Sequence, residues 1–141
     1  MKRRSGVTLL EMLVVVAIVA AIASISFPAL TAGLAGVRLA SASGSVASFL
    51  TSAMNEVERR EQPAAIVISP HENRITTSTG KRLDMPAGIA IEGEEPRRFL
   101  LFPGGAFPRI TIVLRSEKGG RRSVQIDPVT AVPKIQRVAD Q

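Results

Sequence analysis

From Met12 to Val37 the chain carries no charged side chain. About 20 consecutive apolar residues let a helix cross the hydrocarbon core of a bilayer. This run therefore commits the start of the chain to a helix surrounded by apolar material, whether lipid or other helices. Between Met12 and Ile25 it is apolar all round, with no polar stripe to face water. Lys2, Arg3 and Arg4 precede it, and such positive flanks stay cytoplasmic, which sends the rest of the chain to the opposite side. The exception is Glu11, at the head of the run. A carboxylate at a bilayer centre costs roughly 2.5–3.5 kcal/mol and is normally retained with a partner. Glu11 sits toward the basic end, where the cost is smaller, but it still needs one.

Spacing offers that partner. A cut between Gly6 and Val7 would put a new amino group one helical turn before Glu11. The amine can neutralise Glu11 of its own chain or of a neighbouring copy, and the second arrangement makes Glu11 a register device. Thr8-x-x-Glu11 is also a capping box, in which hydroxyl and carboxylate satisfy free N–H groups at a helix start. The two roles are compatible. An ordinary secretory signal is a further reading, with Ala21-Ile22-Ala23 as the small-residue cleavage site. Against it stand the early carboxylate and an apolar run that continues past that site. With no Cys in the chain, a lipoprotein signal is excluded.

The residues from Gly6 to Ile18, Gly6-Val7-Thr8-Leu9-Leu10-Glu11 and the apolar run behind them, resemble the N-terminal signature of type IV prepilins and type II secretion pseudopilins. The resemblance implies a prepilin peptidase that cuts after Gly6 and N-methylates Val7, with Glu11 as the carboxylate that forms the assembly salt bridge. The usual first mature residue in that family is Phe, where this chain has Val7. A proline at the distance of Pro28 also recurs there. By its own chemistry Pro28 removes one helical hydrogen bond and is expected to interrupt and kink the helix.

The 141 residues suggest one domain behind the N-terminal segment. The net charge of +6 comes from 18 basic and 12 acidic side chains. Without Lys2, Arg3 and Arg4 the balance is 15 minus 12, or +3. Half the basicity thus belongs to a targeting segment, which weakens an inference to nucleic acid. With no Cys, Trp or Tyr, the core must come from Val, Ile, Leu and Ala.

Beyond Val37 the pattern turns amphipathic. Val46, Phe49, Leu50, Ala53, Met54 and Val57 recur at helical spacing, with serines, Asn55, Glu56 and Glu58 mostly between them. Arg59 and Arg60 suit a helix C-terminus, and Pro63 stops it. Short strands follow. They are expected at Ala64–Ser69, Arg74–Thr79 (Thr-rich, edge-like), Ile89–Glu92, Arg97–Phe102, Arg109–Arg115, Arg122–Asp127 and Val132–Arg137, with Leu83 to Gly88 irregular. Ile110, Ile112 and Leu114 share one face, and Pro133 marks an edge. The organisation expected is a basic leader 1–6, a hydrophobic helix 7–37 and a head 38–141, made of an amphipathic helix 38–62 and a β-rich part 64–137. The fold class is α+β and pilin-like, with a long N-terminal hydrophobic helix packed on a C-terminal antiparallel β-sheet or small sandwich. Phe102-Pro103-Gly104-Gly105, Ile110-Thr111-Ile112, Gly120-Arg121-Arg122 and Val124 to Thr130 are similar to the tail of the GspH/FimT-like branch.

The head shows no catalytic constellation. His71 lies in a turn without a paired nucleophile. Glu92, Glu94 and Glu95 lack the ligand count of a Ca²⁺ loop, and no phosphate loop is present. Neither a metal nor a cofactor is expected, nor an enzyme. Arg121, Arg122, Lys134 and Arg137 are the candidates for nucleic-acid contact, although strand alternation lets only one of each adjacent pair face the same way. The leading expectation is a minor pseudopilin: a structural subunit anchored in the bacterial inner membrane, with its head in the periplasm. Its partners would be prepilin peptidase, membrane lipid, other pseudopilins of a filament and secreted cargo. The alternative is a DNA-binding minor pilin used in DNA uptake.

Overall fold

The structure, a computed structural model, describes residues 8–138, the side chains of 28–32 excepted. The chain divides into two compact units, Met1–Leu34 and Ala35–Gln141, three residues before the boundary expected at Val37. A single helix, α1, runs from Leu9 to Arg60. Its helical assignment is unbroken at Pro28, where an interruption was expected. A proline removes one hydrogen bond of the ladder, and the bonds on either side can carry the helix past it. Glu61 closes the helix in the left-handed region (φ 53°), ahead of Pro63.

In the first unit every described side chain from Leu9 to Phe27 is exposed, and this segment is long and apolar enough to cross a membrane. In the second unit α1 buries one stripe: Leu39, Ala42, Val46, Leu50, Ala53, Met54 and Val57. The steps of three and four residues keep these on one face.

Eight strands follow, all paired antiparallel. β1 (Ala64–Ser69), β2 (Arg74–Thr77), β3 (Arg82–Asp84) and β5 (Arg97–Leu101) form one sheet in the order β3-β2-β1-β5. β4 (Ile89–Ile91), β6 (Thr111–Ser116), β7 (Arg121–Ile126) and β8 (Pro133–Val138) form the other, in the order β4-β6-β7-β8. Alternation sets the core. Ile66, Ile68 and Ile75 from the first sheet meet Ile110, Ile112, Leu114, Val124 and Ile126 from or beside the second, together with the α1 stripe. Ile110, Ile112 and Leu114 are fully buried on one face, as the sequence predicts.

Two strand expectations change. Residues 82–84, read as the edge of an irregular stretch, form β3, so the Thr-rich β2 is not an edge strand. Arg74 bonds Asp84 across the β2–β3 pair at 3.0 Å, and Arg82 bonds Asp84 at 2.9 Å. These pairings give a short polar segment partners that its own sequence does not announce. The β6–β7 hairpin turns through Gly119 and Gly120, both near φ 90°, a conformation open to glycine.

Asn73, at the β1–β2 turn with φ 52°, ties the two sheets together. Its side-chain amide donates to the Ile89 carbonyl at 2.7 Å, and its oxygen accepts from the Ile91 N–H at 2.8 Å. One side chain thus does for β4 what a neighbouring strand would do.

The edge position of β8 is visible in its bonding. Ile126 donates its N–H to Ile110, away from β8, at 2.8 Å. By alternation Gln125, Ser123 and Arg121 turn their backbone groups toward β8, where Lys134, Gln136 and Val138 oppose them. Pro133, Ile135 and Arg137 then point theirs outward, so Pro133 lacks only an N–H the sheet does not use.

Candidate functional site

Gly6 and Val7 lie outside the described residues. The site begins with Thr8, whose hydroxyl caps α1: Oγ1 accepts the Glu11 N–H at 3.2 Å, and the Thr8 carbonyl accepts the Met12 N–H, also at 3.2 Å. Thr8 therefore stands at the N-cap and Glu11 in the first turn, where the helix dipole favours an anion. Glu11 is exposed. From Glu11 the helix presents Met12, Leu13, Val14, Val15, Val16, Ile18, Val19 and Ile22, each at least half exposed. An ionisable group at the head of such a surface is bound to meet whatever covers that surface.

The four candidate nucleic-acid residues do not share a face. Arg122 and Arg137 stand opposite each other across β7 and β8, on the face of Val124 and Ile126. Arg121 and Lys134 fall on the other face. Arg121 forms a bidentate pair with Glu92, at 3.1 and 2.5 Å. Lys134 Nζ lies 3.3 Å from Asp127 Oδ2. Two of the four cations are thus paired with carboxylates within the head, while Arg122 and Arg137 share the opposite face. Glu92, one of the acidic trio, is the partner of Arg121, while Glu94 and Glu95 are exposed. Among the described residues no group of three or more His, Cys, Asp or Glu is placed to hold a metal ion. His71 is exposed in its turn.

Sequence reasoning missed a second cluster. Glu56, read as part of the polar face of α1, is only 6% exposed. Its carboxylate meets Lys81 Nζ at 2.6 Å and Arg60 Nη2 at 2.8 Å, and Lys81 also donates to the Ser52 hydroxyl at 3.0 Å. The hydrogen bond from Lys81 holds the Glu56 pKa below its ordinary range; burial opposes this, and the charges of Lys81, Arg60 and Arg59 add to the lowering. The i,i+4 spacing of Glu56 and Arg60 was the available signal. Asp127 is likewise lowered, first by the Val129 and Thr130 N–H groups and then by Lys134. Beside Glu56 runs an open groove of about 530 Å³, floored by Ala47, Ser48, Thr51, Ser52 and Asn55, with Lys81 and Pro133 at its sides.

Residues 1–27 match the family described as the prokaryotic N-terminal methylation motif. A capped apolar helix with that motif at its head is similar to the start of type IV prepilin-like proteins. The chain is also 33% identical over 86 residues to the type II secretion system protein H of Xanthomonas campestris pv. campestris. That alignment covers 61% of this chain and 51% of the relative, so the chain spans about half the length of the curated relative it matches. The two matches together support a type II secretion pseudopilin or a type IV pilin-like protein, with the α+β pilin-like fold described above. No solved structure matches the chain.

Proposed function

We propose that this protein is a minor pseudopilin, a structural subunit of a type II secretion pseudopilus, and not an enzyme. Prepilin peptidase removes residues 1–6 by cutting between Gly6 and Val7 and N-methylates Val7. The Leu9–Phe27 segment holds the chain in the inner membrane as a single pass, with the head in the periplasm. On assembly the exposed apolar surface of that segment passes from lipid to the corresponding segments of other pseudopilins. Glu11 then pairs with the new amino group of a neighbour, which fixes the stagger between subunits. The observation that carries this reading is the exposed apolar segment Leu9–Phe27, whose one acidic side chain is Glu11, lying within the residues 1–27 that match the methylation motif. A buried charge without its partner is costly in apolar surroundings, so only the correct register is favoured. The head meets other pseudopilins or secreted cargo.

Two variants test this. Gly6→Ala should leave a longer chain on a gel in cells that carry the peptidase, with mass spectrometry finding an N-terminus at Met1 in place of a methylated Val7. Glu11→Ala should insert normally yet fail to enter filaments. Normal incorporation of that variant would reduce Glu11 to a helix cap and remove the register role.

A further inference from the structure

The outward edge of β8 borders the groove that lies along α1. The backbone N–H and C=O groups of Ile135 and Arg137 point away from β7, and among the described residues nothing bonds them. Pro133, at the start of the same edge, lines the groove. The groove floor is built of Ala47, Ser48, Thr51 and Ser52, small side chains that let another backbone lie close to the helix. Ile135 stays 41% exposed on the inner face of its strand, although it stands opposite the buried Val124. An apolar side chain on an inner face, open on one side, is what a sheet shows when one more strand can fit beside it.

Charge selects the occupant. Arg122 and Arg137 oppose each other directly, an arrangement of like charges that is destabilising in a sheet unless compensated. Neither forms an ion pair among the described residues, in contrast to Arg121 and Lys134. Arg59, which also lines the groove, has no ion pair among the described residues: the carboxylate near it, Glu56, is held by Lys81 and Arg60. A second copy of β8 docked on this edge would add another Arg137 beside arginines that have no carboxylate partner among the described residues, so charge favours an acidic segment over a second copy.

We infer that the free edge of β8 is a docking site for an extended acidic segment of a partner protein, which adds as a fifth strand over the small-residue floor of α1 and neutralises Arg122 and Arg137. Main-chain bonds to Ile135 and Arg137 supply the attachment, as in other cases of strand addition. Acidic side chains of the segment on the inner face reach Arg137 and, through it, Arg122, and an apolar neighbour covers Ile135. This site depends on neither the membrane segment nor the cleavage at Gly6.

The test uses the full-length protein in detergent micelles and two synthetic octapeptides that place charged and apolar side chains in turn on one strand face, one repeating Glu-Thr-Val-Thr, the other Lys-Thr-Val-Thr, each with an N-terminal Trp. The protein has no Trp or Tyr, so the emission of the peptide is read without background. The acidic peptide should bind about tenfold tighter than the basic one. The double variant Arg122→Glu, Arg137→Glu should reverse that preference. Ile135→Pro removes only an outward N–H, so it should keep the thermal melt of the head while weakening the acidic peptide about tenfold. Equal binding of the two peptides, an unreversed preference in the double variant, or undiminished binding by folded Ile135→Pro overturns the proposal. A dimer that Ile135→Pro dissolves also overturns it, because the occupant is then a second copy.

Discussion

The helix α1 meets two environments under one secondary structure. From Leu9 to Phe27 its apolar side chains are exposed all round, and from Leu39 to Val57 only one stripe is apolar and that stripe is buried. Helical hydrogen bonding is common to both, so it decides neither. What differs is who supplies the apolar contacts. In the head they come from this chain's own sheets. In the first unit no described residue supplies them, so burial there would depend on what lies outside the chain and not on folding.

Exchanging the two kinds of position should break the comparison most visibly. Leu50, fully buried, should lose about 2–5 kcal/mol of head stability on substitution by Ala, because the cavity adds to the lost transfer energy. Leu13→Ala should leave the same calorimetric melt unchanged, and a shift comparable to that of Leu50→Ala would mean that the first unit contributes to head folding. Val16→Lys should add roughly 2.5–3.5 kcal/mol to membrane insertion while the head keeps its fold. Fractionation that finds a larger share of it outside the membrane fraction, with a normal circular-dichroism spectrum, is the expected outcome.

The smallest effect concerns Glu56. Its folded pKa is lowered, so the stability it contributes is present at neutral pH, above the ordinary carboxylate range. That contribution fades as pH falls through the range and toward the folded value. Asp127, also lowered, fades in the same direction. The wild-type melting temperature should therefore drop more steeply between neutral pH and pH ~3 than that of Glu56→Gln. Parallel curves would show that the Lys81 contact is a surface pairing without consequence.

What could be read from the residues follows the same division. The apolar run, the capped Glu11 and the alternation of Ile110, Ile112 and Leu114 are local patterns, and the structure reproduces them. β3 was illegible because Arg82-Leu83-Asp84 becomes a strand only through β2, and Asp84 finds Arg74 only once the chain has folded back. Glu56 was misread for the same reason. Periodicity places it among polar neighbours, and its burial depends on Lys81, which arrives from a different element. The split of Arg121 and Lys134 from Arg122 and Arg137 could be anticipated pair by pair, from the alternation of β7. Which member of β8 joins which side required the register.

The clip formed by Asn73 has a consequence for biogenesis. Small secreted domains often rely on oxidised thiols to fasten their layers, and this head has no cysteine to oxidise. Its two sheets are instead fastened by an amide that needs no enzyme and no electron acceptor, so the head is free to mature at the same pace whether its surroundings are oxidising or reducing.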